Sequence, residues 1–179
     1  MERKYELTNE TREFHGRVLH RIRALKDFGS VRAGDLGGWV EKEDNLSQFG
    51  ACWVYGDAQV FENARVYGNA QVCGSALFCE NARVYGDARV YGNAVITGCM
   101  HIQKKRDCLT VGPVGSRNDF TTFAKDKNRN VSVSCGCFYG TLDKFLEKVG
   151  ATHENSKFGV EYRAAIELAK AHFTEEEEQ

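Results

Sequence analysis

Between residues 46 and 98 the apolar and polar positions repeat every six residues. Alanine recurs at 58, 64, 70, 76, 82, 88 and 94, and two residues after each stands Val60, Val66, Val72, Phe78, Val84, Val90 or Ile96. Extended backwards, Cys52 and Val54 keep the frame, with Leu46 at the small-residue position and Gln48 at the aliphatic one. A period of six fits neither a helix nor a simple strand alternation, so the chain must turn a corner in every hexad. Just before each alanine stands Gly or Glu followed by Asp, Asn or Ser, as in Gly56-Asp57, Glu62-Asn63 and Gly74-Ser75. These residues tolerate corner conformations and bond to their own backbone. Three hexads make a triangular coil with its aliphatic and alanine positions inward, and the segment Glu62–Gly68 recurs identically as Glu80–Gly86, 80 − 62 = 18 residues later.

That register assigns outward residues to three faces. Arg65, Tyr67, Arg83 and Tyr85 share one, preceded a coil earlier by Ser47 and Phe49. Gln59, Phe61, Leu77, Cys79, Val95 and Thr97 share a second, which is nearly uncharged, so Phe61, Leu77, Cys79 and Val95 are candidates for subunit packing. Trp53, Tyr55, Gln71, Cys73, Arg89 and Tyr91 form the third. About three coils bury little core on their own, which predicts end caps and oligomerisation.

The flanks have different patterns. Residues 1–32 read as a β cap, with strands in KYEL and RVLHRIRAL around a turn at Thr8-Asn9-Glu10. The β-helix is expected over 33–99, entered through the paired glycines Gly37 and Gly38, and a charged linker over 100–107. An α+β domain follows over 108–174, with strands at 108–114, 120–124 and 131–135. Its first helix starts at a Thr141 cap and covers 142–149. Tyr162, Ala165, Ile166, Ala169 and Phe173 form the apolar stripe of its second helix. Residues 175–179 form an acidic tail.

Composition narrows the function classes. With 42% hydrophobic residues and a net charge of −1, the chain has no global drive toward DNA or a membrane surface. It carries no apolar leader or membrane-length apolar run, which places it in the cytoplasm. The seven cysteines are odd in number and two fill repeat positions, so free thiols are expected. No metal or cofactor site is expected.

Two places carry candidate chemistry. Arg65, Tyr67, Arg83 and Tyr85 combine guanidinium with aromatic planes, which suits base stacking and phosphate pairing as well as subunit packing. The loop Gly112–Asp119 offers Gly115, Ser116, Arg117 and Asn118 to an anion. A plain turn with Arg117 paired to Asp119 accounts for the same letters. Cys137 with His153 is the one conceivable nucleophile pair.

The hexads resemble the hexapeptide-repeat left-handed β-helix family, in which an aliphatic residue is followed four later by a small one, as Val60 by Ala64 and Val66 by Ala70. The resemblance implies a mainly β fold, a left-handed parallel β-helix of about three coils, and a homotrimer. Members include acyltransferases and carbonic anhydrases, which require a histidine. None stands between His20 and His101, so His101 is the single candidate near the repeats and a non-catalytic protein is expected.

The whole chain also resembles a phage and prophage-encoded family, through RVLHRIRALKDFGSVRAGDLGGWVEKEDNLSQFG, the V-Y-G-N-A hexads and a closing module with VGPVGSRND and VSCGCFYGTL. Its members are often labelled transferases on fold alone, which the fold does not license. The residues point to a binding protein that holds a phosphorylated small molecule; the phage setting, which is what the resemblance implies, places it in the host cytoplasm and suggests a cyclic or linear nucleotide signal of host antiviral defence as the ligand to be sequestered. The alternatives are a module docking on a host or virion protein, and a hexapeptide acyltransferase.

Overall fold

Each hexad forms a strand of only two residues, because the corner that follows leaves the extended region: φ is +61° at Gly56, +57° at Glu62 and +70° at Gly68. The computed structural model describes residues 2–174, and the acidic tail falls outside the described residues. The N-terminal strands are β1 (Tyr5–Phe14), β2 (Arg17–Ala24) and β3 (Leu36–Val40). The repeat supplies β4 (Trp53–Val54), β5 (Gln59–Val60), β6 (Arg65–Val66), β7 (Gln71–Val72), β8 (Leu77–Phe78), β9 (Arg83–Val84), β10 (Arg89–Val90), β11 (Val95–Ile96) and β12 (His101–Ile102). They stack in parallel as three faces, β3-β5-β8-β11, β4-β7-β10 and β6-β9-β12. Val60, Val66, Val72, Phe78 and the repeat alanines are fully or almost fully buried between them. The mainly β fold with a parallel β-helix is therefore the one expected from the hexads.

The first coil departs from the expected frame. Leu46 bridges Val66, a separation of 66 − 46 = 20, whereas Val54 pairs with Val72 at 72 − 54 = 18. Leu46 thus takes an aliphatic position and not the small one, and the corner before Trp53 carries two extra residues. The small position is held by Cys52 and by alanine from 58 to 94, and Met100 holds it in the last rung. The displaced Gln48 instead accepts the Lys4 N–H through Oε1 at 2.8 Å.

The hairpin β1–β2 turns at His15-Gly16, both at positive φ (49° and 73°), the signature of a two-residue primed turn. The predicted turn at Thr8–Glu10 lies inside β1, where the register shifts between Leu7 and Thr11; its polar residues occupy a bulge. Because β2 pairs with β3, the hairpin extends one face into a six-stranded sheet. Tyr5, Ile22 and Val31 close the open end of the core. Tyr5 donates its hydroxyl to the Leu46 carbonyl at 2.6 Å, and the buried Lys4 donates Nζ to the Cys52 carbonyl at 2.9 Å. Gly38 is required here, since a Cβ would lie 2.6 Å from the Ala58 carbonyl oxygen.

At the other end the helix does not stop at Gly98. Met100 and Ile102 are fully buried and β12 pairs with β9, so the expected linker is partly a last rung. Asp107 anchors the rest: it accepts the Gln103 and Lys104 N–H groups at 2.9 and 2.8 Å and pairs with Arg129 at 2.7 Å.

The C-terminal domain is an antiparallel sheet of β13 (Cys108–Val114), β14 (Asp119–Lys125), β15 (Val131–Cys135) and β16 (Phe138–Thr141), with α1 (Leu142–His153) and α2 (Lys157–Phe173) packed on it. Thr141 caps α1 as expected, accepting from the Lys144 N–H. β16 was not legible because Phe138-Tyr139-Gly140-Thr141 carries no alternation. The sheet alternates as strands do: Phe123 faces the helices, while Ala124 joins the β-helix core. Thr122 Oγ1 accepts the Val95 N–H at 3.0 Å, so this domain lies against the far end of the β-helix. Among the described residues no helix is long and apolar enough to cross a membrane.

Candidate functional site

Parallel pairing in exact coil register fixes the outward residues of the β6-β9-β12 face. β6 and β9 align Arg65 with Arg83, and β9 and β12 align Arg83 with His101. One step along each strand, Tyr67 and Tyr85 stack with ring centres 5.0 Å apart and planes 3° from parallel. Both arginines are exposed, and neither has an ion pair or side-chain hydrogen bond among the described residues. Several other arginines are engaged, Arg17 with Glu41 and Glu62, Arg12 with Asp57 and Arg129 with Asp107, whereas Arg89 and Arg117 likewise have no ion pair among the described residues.

The enlarged first corner gives this face a wall. Ser47, Gln48 and Phe49, together with Glu43 and Asp44, border a groove of about 540 Å³ whose floor includes Arg65, Tyr67 and Arg83. Phe49 stands 63% exposed at its rim. Glu43 is held by Arg3 at 3.1 Å. His101, below Arg83 in the same column, has its pKa pushed down by burial and by the Arg83 charge. It is therefore neutral near pH 7.

The candidates divide between two places. Arg65, Tyr67 and Arg83 line the groove, and Tyr85 stacks on Tyr67 beside it. Gly115, Ser116, Arg117 and Asn118 lie at the β13–β14 turn in the other domain; Ser116 and Arg117 line a different cavity. The Gly115 N–H is taken by the Glu161 carboxylate at 2.6 Å, which corrects its assignment as an anion donor. Asn118, at φ +50°, donates its N–H to the Gly115 carbonyl and so closes the turn. Arg117 does not pair with Asp119, which accepts the Phe120 N–H instead.

The low charge of the second face has an intrachain cause. Phe61 is 7% exposed and packs with Leu19, Trp39, Phe14 and Cys79 beneath the hairpin. Cys79 donates to Thr97 Oγ1 at 3.2 Å, and the Val95 strand meets the C-terminal sheet. Leu77, Cys79 and Val95 are each half-buried. Ser47 and Phe49 were legible on this face from the coil spacing, whereas Glu43 and Asp44 were not, because the first coil is two residues out of the register that the hexads predict.

The repeat family described as the YdcK β-solenoid repeat matches residues 58–74 and 82–98, entirely within the coils. The protein named Uncharacterized acetyltransferase YdcK, from Escherichia coli (strain K12), is 41% identical over 61 residues. That match covers 30% of this chain and 19% of the relative, so the chain spans less than a fifth of the curated relative it matches. The family match lies in the coils, and a hexapeptide-repeat β-helix protein is what the two matches support.

Proposed function

We propose that this protein is a non-catalytic binding protein that holds a phosphorylated small molecule, of nucleotide type, in the Arg65/Arg83 groove. The observation that carries this reading is the pair of exposed, unpaired arginines stacked in register beside a parallel tyrosine pair. In-register neighbours on parallel strands lie about 4.8 Å apart at the backbone, and like charges so placed oppose each other until an anion bridges them. A phosphate bridging two guanidiniums, with a flat ring against Tyr67 and Tyr85, satisfies both features. The resemblance to phage-encoded proteins supports sequestration of a host defence nucleotide within a homotrimer. Mass spectrometry of small molecules released on denaturation, and thermal shifts with cyclic and linear nucleotides, test the reading. The expected result is an unaltered nucleotide, a raised Tm, and loss of both in Arg65→Gln and Arg83→Gln. A ligand-free preparation with no shift refutes it, and sedimentation velocity tests the trimer.

Acetyl transfer is the second reading, favoured by the name of the relative and by His101, a neutral imidazole in the column of Arg83. A histidine acting as general base must be unprotonated at the working pH. Turnover of acetyl-coenzyme A that is lost in His101→Gln would establish it.

A further inference from the structure

The C-terminal domain has a cavity that the groove reading leaves unused. It lies between the β13–β14 turn, the β15–β16 turn and α1, and its volume is about 230 Å³. Its apolar floor is Phe138, Phe145, Val149 and Tyr162, three of them buried. Its polar rim is Arg117, Lys148, His153, Cys137, Ser116 and Thr152, and no carboxylate lines it. Neither Arg117 nor Lys148 has an ion pair among the described residues; the one side-chain hydrogen bond of Arg117 is to the Cys137 thiol, at 3.6 Å.

The position of Arg117 is built in by the fold. Its guanidinium lies against Gly136, where a Cβ would come within 2.6 Å of Nη1. Gly136 at φ +57° makes the tight turn between β15 and β16, so the bare backbone both turns and makes room. Glu161 of α2, which reaches the β13–β14 turn, accepts the Gly115 N–H, and Asp119 at the end of that turn accepts the Phe120 N–H. Two cations without carboxylates beside an aromatic floor recognise a negative group attached to an apolar body.

We infer that this cavity is a second binding site, separate from the groove, for a small organic anion: a carboxylate or phosphate held by Arg117 and Lys148, with an aryl or alkyl body on Phe138 and Phe145. Cys137, exposed at its mouth, reports occupancy directly. The experiment follows alkylation of the full chain by N-ethylmaleimide, mapped by peptide mass, with phenyl phosphate, benzoate or benzyl alcohol present. Cys99, exposed on the β-helix and outside this cavity, is the internal control. At a probe concentration about ten times its Kd the free fraction falls, and Cys137 labelling slows, about tenfold. Cys99 labelling should not change. Phenyl phosphate and benzoate distinguish the two anion classes, and protection by either one supports the site.

Protection is expected to disappear in Arg117→Gln and Lys148→Gln, both surface changes that should leave the Tm in place, and to survive in Arg65→Gln. Protection by neither anion, equal protection by benzyl alcohol, or protection that persists in both cavity variants overturns the inference. Loss of nucleotide binding in the groove does not bear on it.

Discussion

Glu62 and Glu80 open identical heptapeptides and occupy equivalent corners, at φ +57° and +55°. The left-handed conformation costs a non-glycine residue about 1 kcal/mol. Glycine relieves that strain but adds about 0.5–1 kcal/mol of freedom to the unfolded chain, so the intrinsic effect of either Glu→Gly change is close to zero. The partners differ. Glu62 Oε2 accepts the Glu80 N–H at 2.7 Å, and its Oε1 accepts from Arg17 at 2.9 Å. The Glu80 carboxylate has neither contact among the described residues.

A hydrogen bond to a charged, partly exposed acceptor contributes about 2 kcal/mol, and the solvent-screened Arg17 pair adds little. Glu62→Gly should therefore lower stability by about 2 kcal/mol, while Glu80→Gly should change it by less than about 0.5 kcal/mol. Urea denaturation followed by circular dichroism reads the difference as a shift in midpoint at equal slope. Equal losses in the two variants, or a larger loss in Glu80→Gly, would refute the assignment of the carboxylate ladder.

Other substitutions test the ends and the stacking. Burial raises the Asp107 carboxyl pKa, but the Arg129 guanidinium and the Lys104 and Gln103 N–H groups outweigh it and hold the folded value below the usual one. Its stabilisation is complete above the unfolded pKa of about 3.9 and is lost as pH falls through the folded value. Asp107→Asn should cost about 2–3 kcal/mol at pH 7 and give a flatter acid unfolding profile below about pH 4, checked by denaturation at stepped pH. Gly74→Ala should be the worse of two alanine changes, because its Cβ would meet the Gly92 carbonyl oxygen at 2.8 Å, whereas Gly92, at a similar φ, has nothing within 4 Å. The expected losses are about 2–3 and about 1 kcal/mol, read from Tm and urea midpoints. Lys4→Met should cost about 2–4 kcal/mol, since it leaves the buried Cys52 carbonyl without its donor; a stability unchanged in calorimetry would show that this contact is not what seals the end.

The hexads by themselves determined the β-helix, because a six-residue period with alanine and an aliphatic residue at fixed places has one economical solution. Residue identity also located the Arg65/Arg83 and Tyr67/Tyr85 columns, since equal spacing puts equal letters on one face. Thr141 as a cap and the stripe from Tyr162 to Ala169 were legible for the same local reasons. Tertiary structure alone decided where the period fails: Leu46 moved into an aliphatic slot, two extra residues bulged outward, and the groove acquired its wall. It also decided that Phe61 is covered by a hairpin more than 40 residues earlier in the chain, and that Ser116 and Arg117 share a cavity with Cys137, Lys148 and His153. Such contacts join segments with no common period, so no local pattern encodes them. The repeated heptapeptide makes the division plain: its sequence fixes both corners at one conformation, and only the neighbouring coil and hairpin give Glu62 partners that Glu80 lacks.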